Sequence, residues 1–97
     1  ERLQLEIQLR RAIEEQQLQV FYQPKLCLKT GRLDSAEALV RWHHPQRGMV
    51  APSEFIGLAE ETGLISAIGE FGLRQACWQA CEWQRQGMAP IRVSVNL

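Results

Sequence analysis

Two runs of alternating apolar and polar residues, 18–28 and 32–42, stand on either side of Lys29-Thr30-Gly31-Arg32. Gly31 sits where a tight turn needs a positive φ, so the two runs are expected to pair as an antiparallel hairpin. A third run, 91–97, alternates Ile91, Val93, Val95 and Leu97 with Arg92, Ser94 and Asn96. Between the hairpin and this run the periodicity is helical. A hairpin followed by a helical crossover into another strand begins a mixed sheet, part of an α/β fold. Three strands with that much helix do not close a sheet, so further strands are expected beyond Leu97.

The helical segments are readable in turn. Over 2–16, Leu5, Leu9, Ala12 and Ile13 form an apolar stripe, with Leu3 and Ile7 as a smaller second one. The first is core packing; the helix could also continue a linker from an upstream regulatory domain. A loop is expected over His43-His44-Pro45-Gln46-Arg47-Gly48. Pro52 suits the first position of the next helix, Glu54 favours its dipole, Ala51 makes a poor N-cap, and Gly63 is a natural stop. A longer helix spans Leu64 to Gln86, with Gly87 and Pro90 beyond it. Ile68, Gly72, Ala76, Ala80 and Trp83 line one face, where small residues let a helix lie close to a sheet. Trp78 and Trp83 are expected to be packing groups.

Charge excludes one large class of function. Eleven basic and eleven acidic residues balance to zero, so DNA or RNA binding by a broad basic face is not expected. A small anion held by one or two placed cations remains open. Cys27, Cys77 and Cys81 form no CxxC pair and are expected to be reduced thiols acting as small hydrophobes in a cytoplasmic protein. No run approaches the ~20 apolar residues of a membrane span. No secretory signal is visible, and both ends read as cut from something longer. His43-His44 make no metal site without further ligands, and Gly69 and Gly72 lie in a helical pattern, so they make no phosphate loop.

Alternation sorts the strand residues onto two faces. Phe21, Gln23 and Lys25 share one side of the first strand, opposite Val20, Tyr22 and Pro24. Ser35, Glu37, Leu39 and Arg41 share one side of the second, opposite Ala36, Ala38, Val40 and Trp42. Arg92, Ser94 and Asn96 lie together on the third. Polar faces such as these meet water or the interior of a barrel. Glu37 lies within Ala36-Glu37-Ala38-Leu39-Val40, a segment that reads as buried, where a carboxylate is costly unless paired or metal-bound. An acid and an amide oxygen for a metal, with Arg41 for a phosphate, would suit phosphodiester chemistry.

Glu37-Ala38-Leu39 followed by Val40-Arg41-Trp42 resembles the signature that names the EAL family of bacterial cyclic di-GMP phosphodiesterases. Tyr22-Gln23-Pro24, Glu54-Phe55-Ile56, Leu58-Ala59-Glu60 and Val93-Ser94-Val95-Asn96-Leu97 also look like that family, in the same order. The resemblance runs from about Leu9 to Leu97 and implies that residues 1–97 are the N-terminal segment of one EAL domain. The fold it implies is the N-terminal portion of a TIM-barrel-like EAL fold, an antiparallel first hairpin followed by helices and a third strand. It implies hydrolysis of cyclic di-GMP to linear pGpG with Mg²⁺ or Mn²⁺, in the usual arrangement of two ions about 3.5–4 Å apart. By the same resemblance Glu37 and Asn96 are metal ligands, Arg41 binds a phosphate oxygen, and Gln23 and Leu39 contact the nucleotide. From pattern alone, a lone Asn near a strand end is more often a turn former.

The family's remaining acids and its catalytic Lys lie downstream and are not in this sequence. Some members have lost those groups and serve as cyclic di-GMP receptors or protein-interaction modules, the alternative to catalysis here. The parent is expected to carry a tethered sensor or diguanylate cyclase domain, and other domains could anchor it to a membrane. The isolated chain is expected to be inactive, and its open third strand to favour self-association as a homo-oligomer.

Overall fold

The computed structural model describes residues 2–96. Within them the chain runs α1 (Arg2–Glu14), β1 (Leu18–Leu26), β2 (Leu33–His44), β3 (Gly48–Val50), α2 (Pro52–Thr62), α3 (Ile65–Arg85) and β4 (Arg92–Asn96). Leu97, the expected last residue of the third strand, lies outside the described residues. The strands form one mixed sheet around β2. β1 pairs with β2 antiparallel from Leu18↔Trp42 to Leu26↔Leu33, with a bulge at the turn end. β4 runs parallel to β2, from Ser35↔Arg92 to Leu39↔Asn96. The hairpin and crossover expected from the alternating runs are both present.

The ends of the elements follow local chemistry. α1 stops two residues earlier than its apolar stripe implies, because Gln16 takes a left-handed φ of 60°. The Gln17 amide then donates back to the Ala12 carbonyl at 2.9 Å, a Schellman closure built without glycine. α3 closes in the same way, with Gly87 and Met88 donating to the Gln84 and Trp83 carbonyls, both at 3.0 Å. The hairpin connection is longer than expected. Residues 27–32 bridge the strands, Gly31 has φ 70°, and the Cys27 and Arg32 main chains close the loop at 2.8 Å.

The core lies between the apolar face of the sheet and the helices. Leu9 and Ala12 of α1, Leu18 of β1, Val40 and Trp42 of β2, Val50, Phe55, Ala59 and Ile68 form one buried cluster. The Trp42 and Phe55 rings meet edge to face with centroids 5.7 Å apart. Tyr22 extends this face, its ring edge-on to Trp83 at 5.2 Å and its hydroxyl donating to the Gln75 carbonyl. Full burial of each large apolar side chain is worth about 1.5–3 kcal/mol, so this cluster ties α1, α2 and α3 to β2.

Two expectations need correction. The segment 43–48 is not a simple loop: β2 continues through His44 and turns back into β3, with Trp42↔Val50 and His44↔Gly48 paired. His44 is only 3% exposed. Its Nδ1 accepts the amide protons of Gln46 and Arg47 at 3.0 and 3.1 Å, and its Nε2 lies 2.9 Å from Gln8 Oε1 on α1. The His side chain therefore builds the turn that its neighbours Pro45 and Gly48 advertise. The second correction concerns α3. Trp78, Cys77 and Cys81 are exposed, not packed among apolar neighbours, because Ile68, Gly72 and Ala76 alone of that helix are buried and those three fall on the other side.

Gly72 is where α3 comes closest to the sheet. A Cβ there would stand 3.1 Å from Val95 Cγ1 and 3.2 Å from Val40 Cγ2. Gly72→Leu gains about 0.8 kcal/mol of helix propensity but forces a whole side chain between α3, β2 and β4. We expect a net loss of roughly 1–3 kcal/mol, the usual cost of overpacking. Urea unfolding of the complete domain checks this; an unchanged midpoint would refute close helix–sheet packing at Gly72.

Candidate functional site

The sheet has a second face, away from the core cluster, and there the strand pairings set polar groups side by side. Glu37 on β2 stands between Gln23 of β1 and Ser94 of β4. Leu39, two residues on, stands between Phe21 and Asn96. Because alternate residues share a face, Gln23, Lys25, Glu37, Leu39, Arg41, Ser94 and Asn96 all belong to this side. Their placement follows from the burial of Ala36, Ala38, Val40 and Trp42 on the other.

Glu37 is the centre of the group. Asn96 Nδ2 donates to its Oε2 at 2.6 Å, across a sequence separation of 59 residues. Lys25 Nζ lies 3.5 Å from its Oε1. The carboxyl is held below the usual carboxylate range, chiefly by the Asn96 amide; desolvation opposes this, and the Lys25 charge and hydrogen bond add smaller lowering effects. Glu37 is therefore ionised at neutral pH. Arg41 is half-buried, and its Nη1 donates to the Val40 carbonyl at 3.1 Å. Among the described residues no carboxylate lies within 4 Å of the Arg41 guanidinium. Its charge is available to an incoming anion.

The sequence-derived candidates are thus distributed unequally. Glu37 and Asn96 are in direct contact, Gln23 is the cross-strand partner of Glu37, and Leu39 is that of Asn96. Arg41 lies farther along β2, opposite Gln19, and does not bond to Glu37. Sequence reasoning placed Lys25 on this face but gave it no task. The signal was the register itself: Lys25 pairs with Ser35, which puts Glu37 at the diagonal position a long side chain reaches.

A carboxylate and an amide oxygen are hard donors that fit Mg²⁺ or Mn²⁺. Turning the Asn96 amide over would present Oδ1 in place of Nδ2 beside Glu37. Among the described residues no three His, Cys, Asp or Glu side chains cluster to hold an ion, so two donors are what these strands offer. Mg²⁺ commonly takes one or two carboxylates and completes its shell with water and substrate phosphate. The donor set fits such an ion as part of a larger site.

Comparison with known proteins finds several relatives. A sequence profile described as the EAL domain matches residues 6–97. The bifunctional diguanylate cyclase/cyclic di-GMP phosphodiesterase MucR of Pseudomonas aeruginosa is 47% identical over 97 residues, all of this chain and 14% of that protein. The cyclic di-GMP phosphodiesterase NbdA of the same organism is 44% identical over 94 residues, 97% of this chain and 12% of its own length. Among solved structures, the PaMucR phosphodiesterase in complex with c-di-GMP superposes with a TM-score of 0.90 at 47% identity. That match covers 97% of this chain and 38% of the solved one. The chain therefore spans a minor part of the length of each relative, and its mixed sheet matches part of their fold. With a profile match running from residue 6 to residue 97, the chain belongs to the EAL domain family.

Proposed function

We propose that this chain supplies the N-terminal segment of a metal-dependent cyclic di-GMP phosphodiesterase domain acting in bacterial second-messenger signalling. The observation that carries this reading is the contact between Glu37 and Asn96 on the polar face of the sheet, at 2.6 Å. It gains support from similarity to the MucR phosphodiesterase solved with c-di-GMP. Hydrolysis adds water across one P–O bond of the cyclic dinucleotide, leaving one hydroxyl and one terminal phosphate in linear pGpG.

Each residue then has a task. Glu37 and Asn96 would hold one of two Mg²⁺ or Mn²⁺ ions, which supply Lewis acidity and lower the pKa of water. Arg41 offers two parallel N–H groups to a phosphate, fixing its orientation as well as its charge. Gln23 presents an amide able to donate to and accept from a guanine edge. Leu39 gives the nucleotide an apolar contact between these polar groups. Among the described residues no further acid lies beside Asn96, so the segment alone is proposed to be inactive, and the complete domain to act in the cytoplasm. A tethered sensor or diguanylate cyclase domain is the proposed companion, as in the bifunctional relative MucR.

Two measurements on the full-length protein test this reading. Glu37→Gln keeps shape and removes charge; hydrolysis of cyclic di-GMP should fall by at least ~10²-fold if an ion there acts as template and Lewis acid. Near-normal turnover by folded protein in saturating Mg²⁺ would refute the assignment. Arg41→Ala should weaken cyclic di-GMP binding by roughly 1.5–3 kcal/mol in a calorimetric titration. Arg41→Lys should not restore it, because a point charge does not replace a planar fork. Unchanged affinity in Arg41→Ala would make Arg41 a structural residue, and full affinity in Arg41→Lys would reduce its role to that of a point charge. If the wild type binds cyclic di-GMP without turning it over, the domain is a receptor.

A further inference from the structure

Among the described residues, Lys25 is the one charged group in contact with Glu37 that the proposed function leaves unemployed. Its ammonium lies 3.5 Å from Oε1, while Asn96 occupies Oε2 at 2.6 Å. Both oxygens of the carboxylate are thereby taken, one by a neighbour on β1 and one by a neighbour on β4. The two partners are unlike. Asn96 is a short side chain with little reach, whereas Lys25 is a flexible stem whose side chain is 55% exposed, against 18% for Glu37. Among the described residues, no other carboxylate lies within 4 Å of Lys25.

We propose that Lys25 is the resident counter-ion of Glu37, displaced when a divalent cation binds, and that it thereby sets how tightly the site holds its metal. This rests on the reading of Glu37 as a ligand. A partly exposed carboxylate is still favoured by a nearby opposite charge when no ion is bound. Lys25 supplies it. A cation bonding to Glu37 competes with the ammonium for the same carboxylate, and the two positive charges repel if both stay. The stem lets Nζ withdraw into solvent, so displacement costs little. An ion pair with so exposed a cation is weak, which limits the effect to a few-fold change in affinity. Arginine at this position would grip both oxygens in a fork and obstruct the ion. Lysine compensates the charge while remaining easy to move. Lys25 is a positioning and tuning residue here, not a catalytic one.

The test is a titration of the full-length protein with Mn²⁺ alone, read by electron paramagnetic resonance of the free ion, without nucleotide. Wild type, Lys25→Met, Glu37→Gln and the double variant are compared, with Lys25→Gln as a second neutral replacement should the methionine variant fold poorly. The neutral replacements should tighten Mn²⁺ binding about 2–5-fold, and the effect should vanish when Glu37 is already glutamine. Unchanged or weaker binding in the Lys25 variants, while Glu37→Gln still weakens it, would overturn the proposal and leave the ligand reading standing. Unchanged Mn²⁺ binding in Glu37→Gln would overturn both.

Discussion

β2 is the strand on which the rest of this structure depends. It is the longest of the four, and it is held on one side by β1 and on the other by β4 and β3 in succession. A strand bonded on both edges has its two faces assigned rigidly, because a slip of one residue would exchange them. One face, Ala36, Ala38, Val40 and Trp42, is buried against helices. That burial obliges Ser35, Glu37, Leu39 and Arg41 to face the other way. The polar site is thus a consequence of the core on its reverse side.

The same pairing explains how residues far apart in sequence become one site. β4 returns parallel to β2 after the α2–α3 crossover, and its register brings Asn96 beside Leu39 and within reach of Glu37. Gly72 permits α3 to approach Val40 and Val95 closely enough for that return. Trp42 anchors the far end, with Phe55 edge-on and its Nε1–H donating to Gln17 Oε1 at 3.3 Å. Charge on the polar face is then met locally, by an amide and an ammonium around one carboxylate.

Much of this was legible in the residues. Period-two alternation in 18–28, 32–42 and 91–97 identified the hairpin, the crossover and the polar face, since only strands sort side chains so cleanly. Glu37 was conspicuous because a carboxylate amid Ala, Leu and Val demands a partner. Less visible was anything that depends on long-range register. The role of Asn96 came from family resemblance, and the contact of Lys25 with Glu37 is a diagonal that no local pattern announces. His43 and His44 read as loop residues beside Pro45, yet buried His44 accepts two turn amides and adds β3 to the sheet. Trp78 read as a core residue by its chemistry, although its place on the α3 wheel turns it outward.

Under the proposed function Glu37 and Asn96, joined across β2 and β4, are ligands to one divalent ion. Anomalous diffraction from crystals of the complete domain grown with Mn²⁺ and cyclic di-GMP tests it most directly. An anomalous peak bonded to a Glu37 carboxylate oxygen and to Asn96 Oδ1 is expected, with the present Nδ2 hydrogen bond broken. A Mn²⁺ peak bonded elsewhere, with the Asn96 amide still donating to Glu37, would contradict it.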